Sequence, residues 1–192
     1  MLIEDLLGKA SSVGVGEIHL LQQQCSQFMD ESEGLSVFRA LPITYLNFQK
    51  VKVRQHKKSN VVAETFNKAF NEYRDLSQRA VFAYGHTEIL NLTEHTEPFY
   101  VFPINGYKYL YSKEVKNSNA NYQEVLNTLF ERLEDTGQAI EIVTDLLKYT
   151  YVRNNLAEGI TSDSEIIFYG IPYYYAMRVS AVSLYDKSLS QS

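Results

Sequence analysis

The sequence predicts an α+β fold, a mixed and partly antiparallel sheet with an N-terminal helical lobe, and three observations carry that prediction. Helix-period and strand-period segments follow one another along the chain instead of falling into a single class. The dipeptide Asn105-Gly106 interrupts two β-like runs in "FPINGYKYLY", a hairpin signal that implies antiparallel pairing. The aromatic residues, 13% of the chain, are 15 Tyr and 10 Phe with no Trp, a bias toward side chains that pack on pleated sheets while some keep a hydroxyl for polar contact. At 192 residues the chain is long enough for one sizeable core, so residues 1–33 read as the helical lobe and 34–192 as the body of a single compact unit.

In chain order, "LIEDLL" and then "GEIHLLQQQCSQFMDES" place Ile18, Leu21, Cys25 and Phe28 at three- and four-residue spacing, the stripe of one amphipathic helix. Cys25 belongs to that stripe as a core residue, since no Cys-His signature accompanies it. The acidic turn "DESEG" closes the lobe. From Leu35, "LSVFRALPITYLNFQKVKVRQHKK" supplies two β-like runs on either side of Pro42, the second alternating Val51 and Val53 with Lys52 and Arg54. "SNVVAETFNKAFNEYRDLS" reads as a helix of about 17 residues, capped by Ser59 or Asn60, with Val62, Phe66, Ala69, Phe70 and Tyr73 facing inward. There follow the strand "RAVFAYG", a turn-rich stretch, the strands of "FYVFPINGYKYLYS", the helices "NYQEVLNTLFERLED" and "QAIEIVTDLLKYTYVRNNL", and the apolar run "SEIIFYGIPYYYAMRVSAVSLY".

Composition limits the classes of function. A net charge of −5 argues against a broad nucleic-acid surface, because phosphate affinity rests on clustered Lys and Arg. The basic run "KVKVRQHKK" is a local exception. A single cysteine excludes an internal disulfide and suits a reducing compartment. Without a long uninterrupted apolar stretch or a basic segment leading an apolar core at its start, the chain is expected to avoid the membrane and to work in the cytoplasm or in a particle assembled there.

Several constellations bear chemistry. Gly14-Val15-Gly16 is a fragment of a phosphate-binding turn without its third glycine or preceding strand. His86, Glu88, His95 and Glu97 have the ligand chemistry for zinc or iron, but their polar, turn-rich segment reads as a solvated loop and no metal is expected. Lys50, Lys52, Arg54, Lys57 and Lys58 form either a solvent-facing strand side or, with Arg54, His56 and the helix start near Asn60, a site for an anion such as a pyrophosphate. Arg39 sits inside the apolar strand "SVFRALP", where an arginine needs an anionic partner, either a structural carboxylate or a ligand phosphate. Asp163 and Glu165 open the last apolar run; a turn "TSDS" accounts for Asp163, while Glu165 directly precedes Ile166-Ile167-Phe168, at the edge of a buried sheet where its pKa can be raised.

An arginine in the first core strand, a "RAVFAYG" strand after a helix, and a late loop-and-strand with Asp-x-Glu resemble the arrangement of the mono-ADP-ribosyltransferases. The span from Leu35 to Tyr185 is also similar to small uncharacterised bacteriophage proteins, through "VKVRQHKKS", "RAVFAYGH", "FPINGYKYLYS" and "SEIIFYGIPYYY". The resemblance implies NAD⁺ as substrate and no metal. Arg39 would grip a phosphate or ribose of NAD⁺, and Glu165 would hold the nicotinamide ribose and stabilise the charge that develops as nicotinamide leaves. Asp163 would orient the acceptor, Tyr84 would stack on the nicotinamide, and Arg54 would join the phosphate contacts. The family's Ser-Thr-Ser strand is replaced here by Ala83-Tyr84-Gly85, and the first acid of the loop is Asp. The expected activity is modification of a host or viral protein or other macromolecule. Two rival readings stand beside it: a non-enzymatic interaction or virion protein that uses a Tyr-rich sheet, and a catalytically dead ligand binder of the same fold.

Overall fold

The computed structural model describes residues 14–53, 61–71, 76 and 79–181. The fold is α+β, and every strand pairing among these residues is antiparallel. The strands are β1 (Phe38–Pro42), β2 (Phe48–Lys52), β3 (Val81–Tyr84), β4 (Thr96–Pro103), β5 (Lys108–Tyr111), β6 (Glu165–Tyr169) and β7 (Tyr173–Arg178). They form one seven-stranded sheet in the order β2-β7-β4-β1-β3-β6-β5. Its two parts meet at a narrow waist: β1 pairs with β4 from Phe38↔Tyr100 to Pro42↔Thr96, but with β3 only at Phe38↔Tyr84.

Asn105-Gly106 does not make the hairpin that the dipeptide predicts. β4 lies between β7 and β1, whereas β5 lies at the far edge beside β6. The polar groups of Asn105 are taken up instead by the N-terminal segment, which is two helices and not one: α1 (Val15–Gln24) and α2 (Ser26–Glu31), broken at Cys25. The Asn105 backbone N–H donates to the Gln24 carbonyl at 2.6 Å and its side-chain amide to the Gln23 carbonyl at 3.1 Å, while its Oδ1 accepts the Gln27 N–H at 2.9 Å. One asparagine thus satisfies the open end of α1 and the open start of α2, which makes the break stable. The predicted stripe holds across it, because Leu21, Cys25 and Phe28 are all buried and Ile18 packs beside them. Phe28 meets Phe102, Phe168 and Tyr107 edge-on at 5.9–6.4 Å between ring centres, so the helical segment shares its core with the sheet.

Helices α3 (Val61–Phe70), α4 (Ser118–Arg132) and α5 (Thr136–Thr150) enclose a second core with Leu110, Ile167 and Tyr169 of the sheet. Val62 and Phe66 of α3 are buried as predicted, with Ala69 and Phe70 packed beside them; Tyr73, Ser59, Asn60 and the basic residues Arg54, His56, Lys57 and Lys58 lie outside the described residues. α5 is shorter than its apolar period predicts. It stops at Thr150 because Val152 exchanges two backbone hydrogen bonds with Tyr111, at 2.9 and 3.2 Å, and that pairing holds the chain extended. A further short helix, α6 (Leu156–Thr161), occupies residues the sequence reading left between helix and turn; Asn155 starts it with φ 56° and a side chain that accepts the Glu158 N–H.

The tyrosine triplet divides between the two faces of β7. Tyr173 and Tyr175 both donate to Oε1 of Gln24 in α1, at 3.2 and 2.8 Å, while Tyr174, buried, alternates to the opposite face. The backbones approach closely where α6 crosses the end of β3: a Cβ at Gly85 would stand 1.6 Å from the Ile160 carbonyl oxygen. Backbone meets backbone there, so the clash cannot be relieved by a rotamer change. Gly85→Ala is therefore expected to destabilise the protein by about 3 kcal/mol or more, the upper end of overpacking costs, as measured by urea denaturation.

Candidate functional site

The waist of the sheet brings three of the predicted residues onto neighbouring strands, Arg39 on β1, Tyr84 on β3 and Glu165 on β6. Tyr84 and Glu165 are register partners, and the Tyr84 hydroxyl donates to Glu165 Oε1 at 3.0 Å. Glu165 is only 6% exposed, and its Oε2 accepts the backbone N–H of Ser118 at 3.2 Å and the Ser118 hydroxyl at 2.5 Å. A carboxylate buried at the start of a 15-residue helix is thereby met by that helix's first N–H and by the hydroxyl of the same residue. Loss of water outweighs these donors and the nearby Arg39 charge, so burial holds the Glu165 pKa above the ordinary carboxylate range. Burial, followed by the charge and hydrogen bond of Glu165, pushes the Tyr84 phenol up as well, with Arg39 opposing.

Arg39 is half-buried and feels both groups electrostatically, yet its guanidinium makes no hydrogen bond or ion pair among the described residues. It lines a cavity of about 250 Å³ with Leu41, Tyr45, Val53, Val81 and Tyr174. Tyr45, Val51, Lys52 and Val53 also line an adjoining, wider groove of about 800 Å³, to which Lys50 and Arg79 contribute. The Lys50 ammonium stands 3.5 Å from the centre of the Tyr173 ring, which fixes one cation at that rim. The pair of hollows therefore offers a guanidinium with no partner among the described residues in the smaller space and cationic side chains in the larger one.

The other predicted residues fall elsewhere. Asp163 lies on the connection between α6 and β6, its side chain 68% exposed and 3.9 Å from the Lys116 ammonium, so it is a surface acid two residues ahead of the buried one. Arg54 lies outside the described residues. Glu97 of the predicted His and Glu set pairs with Arg178 at 2.5 Å, and His95 with Glu94 at 3.2 Å on the surface. Among the described residues no three metal-ligating side chains come together.

Two site residues escaped sequence reading. Ser118 follows Asn117, whose side chain accepts the Ala120 N–H at 2.9 Å; the cap pattern Asn-Ser was legible, but not the carboxylate it would meet from residue 165. Tyr151, 3% exposed, lies against Ser118, Glu165 and Tyr84, and its hydroxyl faces the Ser118 side chain without completing a well-formed hydrogen bond among the described residues. Nothing in "KYTYVRNN" marks it as more than an apolar position.

Two outcomes follow from this chemistry. Between the ordinary carboxylate pKa and the raised pKa of Glu165, the folded state keeps a proton that the unfolded chain has lost, so this group's contribution makes stability fall as pH rises through that window. Glu165→Gln is expected to fold and to flatten that fall, read by urea denaturation across about pH 4 to 8; an unchanged slope would show that Glu165 is not the group responsible. Tyr151→Phe removes an unpaired buried hydroxyl and is expected to retain or raise stability, by up to about 1 kcal/mol. No protein-family model, curated protein or solved structure matches the chain.

Proposed function

We propose that the chain is an ADP-ribosyltransferase-type protein, probing its ligand NAD⁺ through Arg39 and Glu165 and transferring ADP-ribose to a host or viral macromolecule. The observation that carries this reading is the half-buried Arg39, its guanidinium without a partner among the described residues, beside a cavity and within electrostatic reach of a buried carboxylate and a tyrosine on neighbouring strands. An arginine so placed, without a carboxylate of its own, favours an anionic ligand.

In this reading a phosphate or ribose of NAD⁺ meets Arg39, and the remaining phosphate charge lies toward Lys50, Lys52 and Arg79, with Arg54 next along the chain. The bond between ribose C1′ and the nicotinamide nitrogen breaks, and its electron pair leaves with nicotinamide. The ribose develops oxocarbenium character, which the ionised Glu165 carboxylate stabilises. An acceptor nucleophile then bonds to C1′ and gives up its proton to a carboxylate base, the role this reading assigns to the exposed Asp163. Tyr84 fixes Glu165 through its hydroxyl and offers its ring to the nicotinamide. Because Glu165 must be ionised, turnover should rise with pH through its raised pKa.

A second reading is favoured by one surface feature. Ile142, Leu146 and Tyr149, the last 88% exposed, stand on the outer face of α5, where a non-enzymatic interaction protein of host or virion would present its contact. Cytoplasmic residence belongs to either reading; the described residues include no helix long and apolar enough to cross a membrane.

Millimolar NAD⁺ is expected to raise the melting temperature of the wild type, and Arg39→Ala to abolish that shift, because a ligand that binds only the folded state stabilises it by mass action. Absence of any shift in the wild type would overturn the NAD⁺ reading in favour of the interaction protein. Given binding, Glu165→Gln should retain the shift while lowering nicotinamide release by about 100-fold or more, in the range found when a stabilising group for transition-state charge is removed.

A further inference from the structure

The two oxygens of Glu165 are not equivalent. Oε2 accepts both donors of Ser118, its backbone N–H and its hydroxyl, whereas Oε1 accepts the Tyr84 hydroxyl alone. A carboxylate oxygen offers two lone-pair directions, so Oε2 is filled and Oε1 keeps one direction open. Ser118 is itself immobilised. It is 3% exposed and it is the first residue of α4. Its backbone N–H and side chain thus grip the carboxylate as a unit with a long helix behind them.

We propose that Ser118 is a positioning residue of the site: it saturates Oε2 of Glu165, fixes the rotation of the carboxylate, and leaves Oε1, on the Tyr84 side, as the oxygen that meets the ribose of the substrate. The inference rests on the NAD⁺ reading for the identity of the substrate, but the anchoring itself is a property of the free protein. Four elements face Glu165: β1 through Arg39, β3 through Tyr84, the start of α4 through Ser118, and the segment after α5 through Tyr151. Of these, Ser118 alone supplies two donors. The Tyr151 hydroxyl, on the Ser118 side, makes no well-formed hydrogen bond to Oε2. Tyr84 reaches the carboxylate from the neighbouring strand, and Ser118 reaches it from the start of a helix.

Ser118→Ala separates the roles, since it deletes the hydroxyl and keeps the backbone N–H. Asn117→Ala serves as the control, because it weakens the cap of α4 without touching Glu165. The full-length proteins would be compared by ¹³C NMR titration of the Glu165 side-chain carboxyl without NAD⁺, and by nicotinamide release with the NAD⁺ dissociation constant measured separately. Ser118→Ala is expected to move the Glu165 midpoint upward, since a donor to the ionised form is lost, and to lower kcat by about 10- to 100-fold with NAD⁺ affinity within about threefold. Asn117→Ala is expected to lower the melting temperature while leaving midpoint and kcat near wild type. An unchanged Glu165 midpoint in Ser118→Ala, or equal effects of the two substitutions on midpoint and kcat, would overturn the proposal. If the wild type releases no nicotinamide, the NAD⁺ reading fails by itself, and the midpoint comparison still decides whether Ser118 anchors the carboxylate.

Discussion

The single register pair between β1 and β3 is the constraint on which the molecule turns. A sheet joined by Phe38↔Tyr84 alone gains little from its own ladder at that line, so its two parts depend on what packs across them. α1 and α2 cover one side with Phe28, which touches Phe102 on β4 and Phe168 on β6 and so bridges the parts directly. The other side of the three-stranded part is covered by α3, α4 and α5. Where strands separate, backbone hydrogen bonding gives way to side chains, and the waist is where Arg39, Tyr84 and Glu165 come within electrostatic reach of one another.

The waist also explains why the carboxylate survives burial. An isolated buried charge is expensive, and three donors from Ser118 and Tyr84 reduce the cost without cancelling it. The outcome is a group poised above its ordinary pKa, held by a helix start on one oxygen and a phenol on the other. Arg39 takes part at a distance and keeps its own hydrogen-bonding capacity open. A structural ion pair would have brought the guanidinium and the carboxylate into contact; here the two interact only electrostatically, and Arg39 lines a cavity whose wall does not include Glu165.

Much of the fold was legible because it rests on local periodicity. The stripe Leu21, Cys25, Phe28, the alternation of Val51 and Val53 with Lys52, and the inward Val62 and Phe66 are read from spacing alone. Failures occurred where long-range partners overrode local chemistry. Asn105-Gly106 has hairpin composition, yet the broken end of α1 competes for its polar groups; α5 has apolar period beyond Thr150, yet Tyr111 recruits Val152 into extended pairing. The site divides in the same way. Arg39 and Glu165 announce themselves as charges inside apolar runs, whereas Ser118 and Tyr151 matter only because residue 165 lies beside them, a relation between distant positions that no local pattern encodes.

The cysteine at the break between α1 and α2 has a practical bearing on how this protein can be observed. Cys25 is the chain's one thiol, it is fully buried, and burial pushes its pKa up to about 12. The thiolate is the reactive species, so at neutral pH this thiol is close to inert toward electrophiles while the fold is intact. A cysteine introduced on an exposed position would take a fluorophore or spin label selectively with the native thiol left in place. Conversely, the rate at which Cys25 itself becomes reactive reports opening of the contact between α1, α2 and the sheet, giving a chemical clock for local unfolding that needs no ligand and no added probe site.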